Sequence, residues 1–101
     1  MKAILINPES RTMQMVEIGK REEIAGLIGF DTIAADEIGK AGDQLYFDED
    51  CFLRGSGGRF QLDSLAPVAG RAVIAGSADG GNTLRDVATE MDSLRGRIKY
   101  L

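Results

Sequence analysis

The chain of 101 residues has no histidine, no tryptophan and a single cysteine, Cys51. Without histidine, the commonest general base and the commonest metal ligand of proteins are missing, so a Ser-His-Asp or Cys-His site is excluded within one chain. One cysteine cannot form an intramolecular disulfide, and with carboxylates alone it makes a poor zinc site. We therefore expect a protein that is not an enzyme and that carries no cofactor and no metal.

Long apolar runs are also missing. No stretch approaches the roughly 18 residues of a membrane span, and the apolar run at residues 3–6 is too short for a signal peptide. An unpaired cysteine suits a reducing compartment. These features predict a cytoplasmic protein that does not contact membranes.

The composition is that of an ordinary globular protein, with 44% hydrophobic and 28% charged residues, and the length fits a single domain over residues 1–101. The net charge of −4 is unevenly distributed. Residues 31–50 hold seven acidic side chains against Lys40 alone, a local charge of −6. Such a segment repels phosphate backbones, so we expect no binding to nucleic acid.

The hydrophobic pattern predicts two hairpins and a short helix before residue 76. A helix is expected over residues 20–28, because Ile24, Leu27 and Ile28 share one face and Gly29 follows as a C-terminal cap. Strands are expected at residues 2–6 and 12–18, which form the first hairpin, and at residues 44–47 and 51–53, which form the second. Further strands are expected at residues 32–38, 60–62 and 71–75.

The C-terminal segment has the clearest helical periodicity. Thr83 is a suitable N-cap, and Leu84, Val87, Met91 and Leu94 follow at intervals of three and four residues. Gly96 interrupts the pattern, so the helix either continues or ends at Arg95, with residues 97–101 as a tail or an edge strand. The predicted fold is α+β, a mainly antiparallel sheet of five or six strands with two helices, the C-terminal one longest. Its expected core includes Ile4, Ile6, Leu27, Val73, Ile74 and Val87.

The order of these segments resembles a family of small proteins of unknown function that are common in phage, plasmid and mobile-element genomes. The resemblance rests on the opening MKAILINPESRTMQMVEI, on LIGFDTI, on LYFDEDCFLRG and on PVAGRAVIAGSADGG before the final segment. It implies a compact bacterial or phage domain, and it carries no catalytic residues to this chain.

A glycine-rich loop between the apolar run at 71–75 and the predicted final helix is one candidate ligand site. Backbone N–H groups freed by glycine, next to a helix N-terminus, can hold a phosphate group. The loop lacks the spacing of a Walker A motif, and the alternative is a connection that only reverses the chain. The candidate residues are Gly76, Ser77, Gly80, Gly81, Asn82 and Thr83.

The acidic run Asp48, Glu49 and Asp50 is a candidate contact for a partner protein. Its alternative is a solvated hairpin turn, and it lacks the pattern of a calcium loop. Cys51, which follows, is expected to be a small core residue.

Met91 and Leu94 are the second candidate contact, because the final stripe could pair two chains in a homodimer. The alternative is that the stripe covers the protein's own sheet. Arg54, Arg59 and Arg71 flank the loop at 55–58, where they could bind a phosphate or carboxylate or be scattered surface charges.

Two functions follow from these features. The first is a non-catalytic binding protein of a phage or mobile element, which contacts a host or phage protein through the acidic segment or the final helix. The second is a small-ligand binder that holds a nucleotide or another phosphate compound at residues 76–83.

Overall fold

Strand-forming runs dominate the chain. The computed structural model describes residues 1–39, 41–55, 58–78 and 83–101. Two short helices, α1 (Glu22–Ile28) and α2 (Met91–Arg95), and a 3₁₀ turn at Cys51–Leu53 lie within these ranges. The strands there are β1 (Lys2–Asn7), β2 (Thr12–Glu17), β3 (Ile33–Ile38), β4 (Asp43–Asp48), β5 (Arg59–Leu62), β6 (Val68–Ala69), β7 (Ala72–Ala78), β8 (Thr83–Arg85) and β9 (Ile98–Tyr100).

Within these described ranges, the main sheet has six strands and is antiparallel throughout. Five follow the order β2-β1-β7-β4-β3, and β8 pairs with β7 beyond the end of β1. A second, three-stranded sheet has the order β6-β5-β9. The α+β class and the mainly antiparallel sheet are therefore confirmed, whereas the second sheet was not predicted.

The core lies on both faces of the main sheet, so the fold has three layers. One face packs against the second sheet and α2, and the other is covered by α1. Strand β1 is covered on both faces, as its continuous apolar run predicts. Ile4, Ile6, Val73 and Ile74 are fully buried as predicted, whereas Leu27 and Val87 are only partly buried.

The first hairpin and the first helix are confirmed. β1 pairs with β2 from Lys2 opposite Glu17 to Asn7 opposite Thr12. The side-chain oxygen of Asn7 accepts the backbone N–H groups of Glu9 and Ser10, which closes the turn. Helix α1 ends at Gly29, which takes the left-handed conformation with φ of 97°.

The prediction of a long C-terminal helix is wrong, since α1 is the longer of the two helices. Thr83 begins strand β8 because β7 extends past the end of β1 and its last residues need a partner there. The loop that follows is held by Asp43, whose buried carboxylate accepts the backbone N–H groups of Ala88 and Thr89 at 2.9 and 2.7 Å. These tertiary contacts override the helical periodicity, and only residues 91–95 remain helical.

The second predicted hairpin is also wrong. Strand β4 pairs with β3 on one side and β7 on the other, so residues 51–53 have no ladder to join. They form a 3₁₀ turn instead, where Asp48 accepts the N–H of Asp50 and draws the chain back towards β4. Residues 98–100 do form an edge strand, on β5, as one of the two sequence interpretations expected.

No helix in the described parts of the chain is long and apolar enough to cross a membrane.

Candidate functional site

A buried carboxylate at the end of β4 organises the surface that we consider the candidate site. Asp48 is 3% exposed and accepts the guanidinium Nε of Arg54 at 2.9 Å. The hydroxyl of Thr32 also donates to Asp48 and accepts Nη2 of Arg54 at 3.1 Å. The Asp48–Arg54 pair therefore fixes the 3₁₀ turn to the start of β3.

The ionisation of Asp48 follows from these contacts. Burial alone would raise the pKa of its carboxyl group, but hydrogen bonds from Arg54, from Thr32 and from the Asp50 amide together lower that pKa below its ordinary value. The same ion pair raises the pKa of Arg54, so both groups are charged at neutral pH. Asp48 thus serves as a fixed anchor for Arg54.

Large apolar side chains lie exposed around this anchor. The guanidinium carbon of Arg54 lies 4.3 Å from the ring centroid of Phe30, and that of Arg59 lies 5.4 Å from the ring of Phe52. Phe30, Phe52 and Leu53 are 37%, 53% and 84% exposed. A guanidinium group lies over each ring, and the one over Phe30 is fixed by the Asp48–Arg54 ion pair. We call the following five residues the arginine–aromatic patch: Phe30, Phe52, Leu53, Arg54 and Arg59.

A groove of about 580 Å³ adjoins the patch, with Phe30 and Asp48 in its wall. Residues of the β1–β2 turn also line it, and Arg71 contributes an exposed side chain. In the described part of the chain, Arg71 has no ion-pair or hydrogen-bond partner. Arg54, Arg59 and Arg71 therefore have three different environments: an ion pair, a ring face and a groove wall.

The acidic run is divided between core and surface. Asp48 is buried, Glu49 is exposed and Asp50 is half-buried. Among the described residues, no group of three or more acidic or cysteine side chains is placed to hold a metal ion. Cys51 is buried, and its Sγ accepts the N–H of Ala69 at 3.4 Å, which makes it a core residue as expected.

Met91 and Leu94, the two candidate contacts on the final helix, differ in how deeply they are buried. Leu94 is fully buried in the core cluster between the sheets, and Met91 is half-buried against that cluster. This placement matches the alternative in which the stripe covers the protein's own sheet.

The glycine-rich element connects two strands, not a strand and a helix. Gly76 and Ser77 are buried in β7, where the Ser77 hydroxyl donates to the carbonyl oxygen of Gly42 at 2.7 Å. Thr83 opens β8 opposite Ala78. Gly80, Gly81 and Asn82 lie outside the described residues. The helix N-terminus on which the phosphate hypothesis depended is therefore not present at Thr83.

Sequence reasoning missed Phe30, Phe52 and Leu53 as site residues. The hydrophobic pattern predicts a strand at residues 51–53, in which alternate side chains would be covered. A signal was available in the adjacency of Phe52 to Arg54, because aromatic and arginine residues are both enriched at protein interfaces.

Comparisons with known proteins identify no relative: no family model matches the chain, and no curated protein and no solved structure is significantly similar to it.

Proposed function

We propose that this chain is a non-catalytic binding protein of a phage or mobile element and that it contacts another protein. The mobile-element part of the proposal rests on the sequence resemblance alone. The binding part is supported by the arginine–aromatic patch, and above all by the exposure of Leu53 at its edge.

Exposed apolar side chains of this size favour contact with a partner. Full burial of a leucine or phenylalanine side chain contributes about 1.5–3 kcal/mol, and Phe52 and Leu53 are adjacent on one turn. Aromatic and arginine residues are also enriched where protein interfaces gain most of their affinity.

The patch is also partly ordered before any partner arrives. Arg54 is held by Asp48 and lies on Phe30, so less side-chain freedom is lost when a partner covers it. Each immobilised long side chain otherwise costs about 0.5–1.5 kcal/mol on binding. A surface with this ordering favours recognition of a defined partner over non-specific adhesion.

The non-catalytic part is supported by the state of the reactive groups. Cys51 is buried in the core, and Asp48 is committed to Arg54. The chain has no histidine to act as a general base near neutral pH.

Affinity capture from a nuclease-treated host lysate tests the proposal, with proteins identified by mass spectrometry. The test variant is Phe52→Ser with Leu53→Ser, and the control is Met15→Ser, which replaces a 46% exposed side chain on β2. We expect a protein that the wild type and the control retain and that the double variant loses. With that partner purified, calorimetry should show at least about a tenfold loss of affinity, equal to about 1.4 kcal/mol.

Two results would contradict the proposal. Either the wild type retains no protein specifically, or the double variant, folded by circular dichroism, retains the same proteins as the wild type.

A further inference from the structure

Strand β3 forms an open edge of the main sheet. In the described part of the chain it pairs with β4 on one side, and no strand lies beyond it. Its register with β4 is continuous over six residues, and it contains no proline, no lysine and no bulge. The unpaired backbone groups of such an edge are a template for pairing with another chain, and the acidic side chains of Asp36 and Glu37 disfavour partners that are themselves acidic.

The hydrogen-bonding pattern identifies which backbone groups face outward. The N–H of Glu49 donates to the carbonyl oxygen of Thr32 at 2.6 Å, so this pair is hydrogen-bonded. In an antiparallel ladder, hydrogen-bonded and non-hydrogen-bonded pairs alternate. Ala35 and Glu37 therefore direct both their N–H and their C=O groups away from β4, with the spacing that an added strand requires.

A groove of about 540 Å³ runs between this edge and helix α1. Ile24 and Ile33 give it apolar walls, and Gln44 and Tyr46 of β4 line it as well. The hydroxyl of Tyr46, a residue only 3% exposed, is buried without a hydrogen-bond partner in the described structure. A polar group that enters the groove and reaches this hydroxyl would satisfy its hydrogen-bonding capacity.

The charges around the groove are mainly negative. Glu22 and Asp31 line it, and Asp36 and Glu37 lie on β3 itself, whereas Arg21 is the one cation among the described residues of its wall. A second copy of this chain is a poor occupant, because antiparallel pairing of two β3 strands would bring their acidic side chains together. A segment rich in lysine or arginine has the complementary charge.

We infer that β3 binds an extended, basic segment of a partner protein, which adds to the main sheet as a further strand and places an apolar side chain in the groove beside α1. The inference deepens the proposed protein-binding function by naming a mode of recognition. Backbone hydrogen bonds to Ala35 and Glu37 supply affinity, and the groove and its acidic rim select the side chains. Phe30, one of the residues of the arginine–aromatic patch, lies just before β3 in the chain, which favours a single interface that includes both surfaces.

The test uses a random linear peptide library displayed on phage, selected on the wild-type protein. We expect enriched peptides in which basic and apolar residues alternate. Hydrogen exchange of the Ala35 and Glu37 amides should slow when such a peptide is added, because these N–H groups become bonded.

Two variants remove the proposed contacts separately. Ala35→Pro deletes an outward N–H that β4 does not use, and Glu37→Lys reverses an exposed charge with the backbone intact. Each should weaken an enriched peptide by roughly tenfold or more. Ala34→Pro is the matched control for the first variant, because it deletes an inward N–H and should lower the stability of the protein instead.

The inference is overturned if no sequence is enriched, or if enriched peptides bind Ala35→Pro and Glu37→Lys as tightly as the wild type. Self-association that Ala35→Pro abolishes would also overturn it, in favour of a second copy. The proposed function is judged separately. If a purified partner binds Ala35→Pro with wild-type affinity, the protein-binding function stands and the proposed role of the β3 edge is refuted. If the lysate capture retains no partner, the proposed function fails, and the peptide selection alone tests whether β3 binds an extended basic segment.

Discussion

Replacing Gly58 with alanine should destabilise the protein by about 1–3 kcal/mol. A Cβ atom at this position would lie 2.3 Å from the backbone nitrogen of Glu9 and 2.5 Å from the carbonyl carbon of Pro8. Ordinary Cβ contacts begin near 3.4 Å, so the β1–β2 turn would have to move by about 1 Å.

The magnitude follows from three contributions. Overpacking of this kind costs about 1–3 kcal/mol, and displacement of the Gly58 carbonyl endangers its hydrogen bond from the N–H of Gly70, worth about 1 kcal/mol. The lower conformational entropy of alanine in the unfolded chain offsets about 0.4–1 kcal/mol of this loss in stability. The net loss is a substantial part of the free energy of unfolding, which is roughly 5–15 kcal/mol for a protein of this kind.

Urea unfolding followed by circular dichroism measures the change, and Gly26→Ala is the matched control. Gly26 lies within α1, and a Cβ there would meet no atom within 4 Å, so this variant should gain about 0.5–1 kcal/mol. With a urea slope of about 1–3 kcal/mol per molar, the midpoint should fall for the first variant and rise for the second. If Gly58→Ala unfolds at or above the wild-type midpoint, the close approach of the turn is refuted.

Four further outcomes are expected. Leu94→Asp places a charge in the core and should leave the chain unfolded by circular dichroism; a folded variant would contradict the burial of this side chain. Asp48 has a lowered pKa in the folded protein, so its pairing with Arg54 stabilises the fold above its unfolded pKa of about 3.9, and that stability is lost as the pH falls. Urea midpoints measured from pH 7 to pH 3 should therefore depend less on pH in Asp48→Asn than in the wild type; equal slopes would refute the coupling. Asp43→Ala should cost about 2–4 kcal/mol in urea unfolding, because two backbone amides lose their buried acceptor, while the exposed Asp31→Ala should cost little. Filter binding at about 50 mM salt should show no saturable binding of nucleic acid at micromolar protein, and tight binding that weakens as salt rises would contradict the charge argument.

The elements that could be predicted from the sequence are those whose determinants are local. The continuous apolar run of β1, the turn chemistry after Asn7 and the glycine cap of α1 each lie within a few residues of the structure they specify. The segment at 83–101 has an equally clear local pattern, yet its conformation depends on the length of β7 and on Asp43, which is more than 40 residues away. Periodicity alone carries no information about such partners.

The candidate site was predictable only in outline. The sequence places the acidic run at 48–50 in a solvated hairpin turn, whereas Asp48 is buried at the end of β4 and only Glu49 and Asp50 lie in a turn. Nothing local indicates that Asp48 turns inward to meet Arg54 and Thr32. The exposure of Phe52 and Leu53 follows from the Asp48–Arg54 pair, because this pair holds residues 51–53 in a 3₁₀ turn. In the predicted strand, alternate side chains would have been covered. The open edge of β3 depends on the order of strands in the sheet, which pairing between distant segments decides.

The position of β7 between β1 and β4 has a consequence for how the chain folds. The β1–β2 and β3–β4 hairpins are each local, but β7 is the strand that joins them, and it lies almost 70 residues after β1. Such distant pairings slow folding, because a long loop must close before its contacts form. On the ribosome, both hairpins emerge earlier and expose an inner edge until β7 arrives. Newly made chains should therefore be most prone to aggregate in the interval before residue 78 leaves the exit tunnel.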